Sequence, residues 1–164
     1  TEFNNDRTDA SITWRIVLIH HPFFGNYSGS NSHQANEANQ VQKFHKLFTD
    51  NKVSILYVGH DHEWNRTHQI AYNSTNPRDS PSIIDSSSPY SRTAGGLIEV
   101  VTGTGGHDSG SGLYDLPNNA SFWAYLNRSH NGYHEIIASD SGNTLTCSFV
   151  DNSGAKFDTF VINS

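Results

Sequence analysis

Ile16-Val17-Leu18-Ile19 is apolar at every position and ends at His20-His21-Pro22. A short run that does not alternate reads as a strand covered on both faces, as in a parallel sheet, and the reading places this strand at 12–20. Between 36 and 49 the pattern turns helical, with Val41, Phe44, Leu47 and Phe48 on one stripe, and Asp50-Asn51 closes it. A second continuous apolar run, 53–58, follows. Strand, helix and strand in this order predict a βαβ unit with a right-handed crossover. Residues 73–93, rich in Ser, Pro and Asp, predict a surface loop, and 97–101 a further strand that runs into Thr102-Gly103-Thr104-Gly105-Gly106. Near the end, 133–138, 145–150 and 157–162 predict three strands. Leu145, Cys147 and Phe149 alternate with Thr144, Thr146 and Ser148, the mark of a half-buried strand, and the Gly-containing connections are of hairpin length. The expected fold class is α/β: a βαβ unit followed by an antiparallel meander, with residues 1–10 a polar tail or linker.

The same pattern locates chemistry. In open α/β sheets, ligands bind beyond the carboxyl ends of the strands. The first predicted strand ends in His20-His21 and the second in Gly59-His60-Asp61-His62. Both clusters therefore emerge at one sheet edge, and forty positions of separation collapse to ligand distance. Neutral imidazole suits Zn, Fe and Mn. If the strand continued, His60 and His62 would point to the same side, and Gly59 would let the backbone pass close to a ligand.

Composition narrows the setting. With 164 residues the chain is one domain or a piece of one, and 12% aromatic residues set it apart from disordered chains. A formal charge of −6 argues against a nucleic-acid surface, which needs a basic stripe. No apolar run approaches the roughly 20 residues of a membrane span. Cys147 is the one cysteine, which excludes an intrachain disulfide and a cysteine-based zinc site. Few lysines, abundant Asn, Ser and Thr, and glycosylation triplets at Asn26, Asn65, Asn73, Asn119 and Asn127 point to a secreted, extracellular glycoprotein.

Trp14-Arg15-Ile16-Val17-Leu18-Ile19-His20-His21-Pro22, followed by Gly59-His60-Asp61-His62-Glu63-Trp64-Asn65-Arg66, resembles the C-terminal half of a calcineurin-like metallophosphoesterase, nearest the purple acid phosphatase branch. VVTGTGG at 100–106 and GAKFDTFVI at 154–162 add to the likeness. The resemblance implies half of a four-layer sandwich and hydrolysis of phosphate esters at two divalent or trivalent metal ions (Fe, Zn or Mn). Two such ions, about 3.5–4 Å apart, polarise the phosphoryl group and generate a hydroxide nucleophile. It implies His20 and His60 as ligands of one metal, His62 as a ligand of the other, and His33 as a catalytic group that contacts phosphate or protonates the leaving group. His21 and Asp61 then read as groups around the metals rather than ligands, and Arg66 as a group that helps neutralise phosphate. The family's earlier Asp, Asn and His motifs have no counterpart in these residues. The site here is therefore expected to be partial, and the isolated chain inactive until an N-terminal half, on the same precursor or a separate chain, completes it. Completion by another copy is one alternative. A non-catalytic extracellular structural or interaction module is the other.

Overall fold

In the computed structural model, which describes residues 9–24, 41–77, 80–106, 120–127 and 129–164, the βαβ unit forms as the apolar pattern predicts. β1 (Ile16–Ile19) pairs in parallel with β2 (Ile55–Val58), from Ile16 opposite Ile55 to Ile19 opposite Val58. Between them lie a π-helical turn, Val41–His45, and the short helix α1 (Lys46–Asp50). The π turn carries more residues per turn than an α-helix and so rotates the buried stripe. Val41, His45 and Phe48 are buried, whereas Phe44 and Leu47, expected on the same stripe, are exposed.

The chain adds β3 (Trp64–Thr67), β4 (Gln69–Ala71), β5 (Ser82–Asp85), β6 (Tyr90–Ser91), β7 (Ile98–Thr102), β8 (Trp123–Asn127), β9 (Gly132–Ser139), β10 (Thr144–Asp151) and β11 (Lys156–Asn163). One sheet has the order β1-β2-β7-β3-β8, its first three strands parallel and its last two antiparallel. A second runs β6-β11-β10-β9 and contains the predicted meander. β4 and β5 form a separate ribbon. The expected loop at 73–93 is thus corrected: it holds β5 and β6. These strands are too short to show a period, and Tyr90 of β6 is 2% exposed because β6 pairs with β11.

Two cores flank the five-stranded sheet. Leu56, Val58 and Val101 pack with Phe23, Phe24 and Phe48 on the helical side. Ile55, Tyr57, Trp64, Ile98 and Val100 pack with Leu145, Cys147, Phe149 and Phe160 of the second sheet. Trp64 stacks on Phe149 at 4.3 Å between ring centroids, a favourable contact beyond area burial. Burial on both faces explains why β2 and β7 show no alternation. β1 departs from that expectation on one face, where Leu18 is 76% exposed. β1 and β9 end their sheets, and a groove of about 450 Å³ runs between these edges, lined by Ile16, Leu18, Tyr57, Tyr133, His134 and Ile136. No helix among the described residues is long and apolar enough to cross a membrane.

Candidate metal centre

The register of β1 on β2 brings the histidines together. Beyond the last pair, Ile19 and Val58, the Gly59 N–H donates to the His20 carbonyl at 3.1 Å, one further rung between the strand ends. His60 then turns into the left-handed region with φ +64°, an unusual conformation for a residue with a side chain. Asp61 N–H donates to the Gly59 carbonyl at 2.7 Å, and Glu63 N–H to the Asp61 carbonyl at 2.8 Å. These two tight turns end the strand geometry before β3 begins.

The result is a cluster of His20, His21 and His60, each with a ring nitrogen within 4.8 Å of the others. His60 Nδ1 stands 3.1 Å from His20 Nε2. Ring centroids are 5.0 Å apart for His20 and His60 and 4.3 Å for His21 and His60. His62 lies outside the triplet, because the turns at Gly59 and Asp61 replace the extended backbone that would have aligned it with His60. Nitrogens bound to one tetrahedral ion at about 2.0–2.1 Å stand roughly 3.4 Å apart. The triplet therefore fits one ion with small side-chain adjustments, and its imidazole donors suit Zn, Fe or Mn. It contains no carboxylate, and among the described residues no other group of this kind occurs.

Two residues that support these turns escaped the sequence reading. A Cβ on Gly103, at the end of β7, would lie 2.0 Å from the Asp61 carbonyl oxygen, so only glycine lets β7 pack against the 59–63 turns. The glycine repeats in VVTGTGG were a visible signal with no visible partner. Gly59 has no such constraint, since an added Cβ would meet His20 Nδ1 at 3.8 Å, ordinary contact. Glu99, the second residue of β7 and 0% exposed, accepts the Phe23 and Phe24 backbone N–H groups, each at 3.0 Å.

Other candidate residues are placed elsewhere. Arg66, expected near phosphate, points between the sheets. Its Nε and Nη2 donate to Asp158 at 2.6 Å each, Nη1 donates to the Tyr90 hydroxyl, and the guanidinium lies over Phe160. Asp61 is buried within the turn. Asn65 is 0% exposed and donates through Nδ2 to Glu63, which removes it as a glycosylation acceptor in the folded chain. Asn73 and Asn127 are partly exposed. His33, Asn26 and Asn119 lie outside the described residues. Two further histidines are held neutral by burial. His45, packed against the rings of Phe23, Phe24 and Tyr72, is pushed down to about 4, and His134, hydrogen-bonded to the Tyr57 hydroxyl, to about 3.

No family model matches the chain. Over 97 residues it is 32% identical to purple acid phosphatase 19 of Arabidopsis thaliana, which covers 56% of this chain and 24% of that protein. Over 100 residues it is 32% identical to the Fe(3+)-Zn(2+) purple acid phosphatase 12 of the same plant, covering 59% and 19%. The fold matches a purple acid phosphatase from yellow lupin (Lupinus luteus) seeds with a TM-score of 0.65 at 24% identity, over 92% of this chain and 25% of that one. The matched stretch thus spans about a quarter or less of each relative. The resemblance to the C-terminal half of a metallophosphoesterase of the purple acid phosphatase branch is borne out, and with it the α/β architecture.

Proposed function

We propose that this chain supplies the imidazole side of a metal centre that hydrolyses phosphate esters, as the C-terminal half, residues 11–164, of a domain whose N-terminal half supplies the carboxylates. The observation that carries the reading is the convergence of His20 and His60 at the carboxyl ends of adjacent parallel strands, within 3.1 Å of each other. Similarity to phosphatases over about a quarter of their length supports it. His20 and His60 hold one ion, with His21 positioned to join them. His62 serves a second ion whose remaining ligands lie in the other half, and His33 acts on the phosphate or the leaving group. When bound, such ions supply polarisation of the phosphoryl group and activation of water. Iron, zinc and manganese all fit the imidazole donors. Arg66 has no part, being engaged with Asp158.

The edges of β1 and β9 and the apolar groove between them are where the missing half docks, since an uncovered apolar edge is an aggregation hazard that folded proteins cover. The Asn- and Ser-rich composition supports an extracellular setting, with Asn73 and Asn127 the described glycosylation candidates.

Metal analysis and p-nitrophenyl phosphate hydrolysis, with and without a co-expressed N-terminal half, test the reading. The chain alone is expected to bind at most one ion and hydrolyse nothing. In that state His60→Ala abolishes binding and His62→Ala spares it, whereas in the completed domain His62→Ala collapses turnover. A completed domain free of metal and activity would leave the extracellular structural or interaction module as the better account.

A further inference from the structure

We infer that Glu99 is a positioning residue for the histidine triplet, acting through the backbone of the turn that follows His20-His21; the inference rests on the triplet being a metal site. Glu99 is the only charged side chain in the strand Ile98–Thr102, flanked by Ile98 and Val100, which are 1% and 0% exposed. An aliphatic residue would satisfy that position as far as packing is concerned. A carboxylate there must be desolvated, which is unfavourable unless strong hydrogen bonds replace water.

The replacements are specific. Pro22 has no N–H, so the first backbone donors after His21 are those of Phe23 and Phe24. Both donate to this one carboxylate, Phe23 to Oε2 and Phe24 to Oε1, at 3.0 Å each. Hydrogen bonds to an ionised acceptor are stronger than neutral ones, and two from consecutive residues fix orientation as well as distance. The partners lie 76 and 75 positions away in sequence. Glu99 is itself anchored, since its own N–H donates to Thr67 Oγ1 at 3.0 Å. The strand that contributes Glu99 also runs directly into Gly103, which lies against the 59–63 turns. β7 is therefore the common support of both histidine turns: a carboxylate holds the first, and a missing Cβ admits the second.

Groups that orient metal ligands from outside typically account for 10–100-fold in metal affinity. Glu99→Gln keeps the shape but replaces one acceptor by an NH₂ group facing a backbone N–H. In the intact protein, titrated with Co²⁺ and read by its ligand-field absorption, this variant is expected to bind at least 10-fold more weakly and to give an altered spectrum. Glu99→Asp, which keeps both acceptors on a shorter stem, is expected to recover part of the affinity, and it serves as the test if the Gln variant does not fold. Phe160→Leu, in the core between the sheets, controls for general destabilisation and is expected to bind cobalt as the unmodified protein does. Equal affinity in the Glu99 variants and the unmodified protein would overturn the inference, as would an equal loss in Phe160→Leu. If the unmodified protein and the Phe160 variant both fail to bind cobalt, the metal reading itself falls, a result distinct from a defect confined to Glu99.

Discussion

Lowering the pH from 7 to 4 should destabilise this fold through His45, by an amount that its surroundings set. Its ring is fully buried, 5.6 Å from Phe23, 5.4 Å from Phe24 and 5.9 Å from Tyr72 between centroids. Neither ring nitrogen has a hydrogen-bond partner among the described residues. Desolvation pushes the imidazole from the ordinary 6.5 down to about 4. Between those values the unfolded chain binds a proton at residue 45 that the folded chain refuses. The stabilisation is therefore complete above pH 6.5, declines as pH falls, and is exhausted below about 4. One proton corresponds to about 1.4 kcal/mol per pH unit, or about 3 kcal/mol over the window. His134, pushed down to about 3, adds a parallel loss that continues to lower pH. Urea unfolding followed by Trp64 and Trp123 fluorescence at half-unit steps from pH 7 to 4 measures the slope. In His45→Phe the slope should drop by about 1.4 kcal/mol per pH unit, while the contribution of His134 remains. An unchanged slope in the variant would show that the buried imidazole accepts its proton in the folded state, and would refute the reasoning.

Other substitutions test the packing. Gly103→Ala would place a Cβ 2.0 Å from the Asp61 carbonyl oxygen; it should destabilise by about 2–3 kcal/mol and weaken cobalt binding, both read in the same urea and absorption assays. Gly59→Ala should be neutral or stabilise by about 0.5 kcal/mol and leave metal binding unchanged, because its Cβ meets only ordinary contact and the unfolded chain loses freedom. Asp158→Asn should destabilise by about 3–5 kcal/mol by leaving the Arg66 guanidinium without its charge partner, whereas an Arg66→Met/Asp158→Leu pair should be milder; equal effects of the two would argue that the ion pair is not what matters.

Much of the candidate site was legible before any coordinate. Non-alternating apolar runs at Ile16–Ile19 and Ile55–Val58 implied parallel strands, and parallel strands deliver their carboxyl ends to one edge, so His20 had to meet His60. Other features were not legible, because they depend on local backbone choices that side-chain pattern does not encode. The π turn at Val41–His45 put His45 where the helical stripe had placed Phe44. The strands at Ser82–Asp85 and Tyr90–Ser91 are too short to carry a period.

The sequence by itself determined the βαβ unit, the meander and the meeting of His20 with His60, since each follows from a periodicity or from the chirality of the chain. Only tertiary structure decided that His21 joins the triplet while His62 departs from it, because a single left-handed residue at His60 breaks the strand's twofold repeat. It alone decided that Arg66 faces Asp158 across the sandwich. And it alone gave Glu99 its meaning: the two backbone donors that justify a carboxylate in an apolar strand arrive from a turn 76 and 75 residues away.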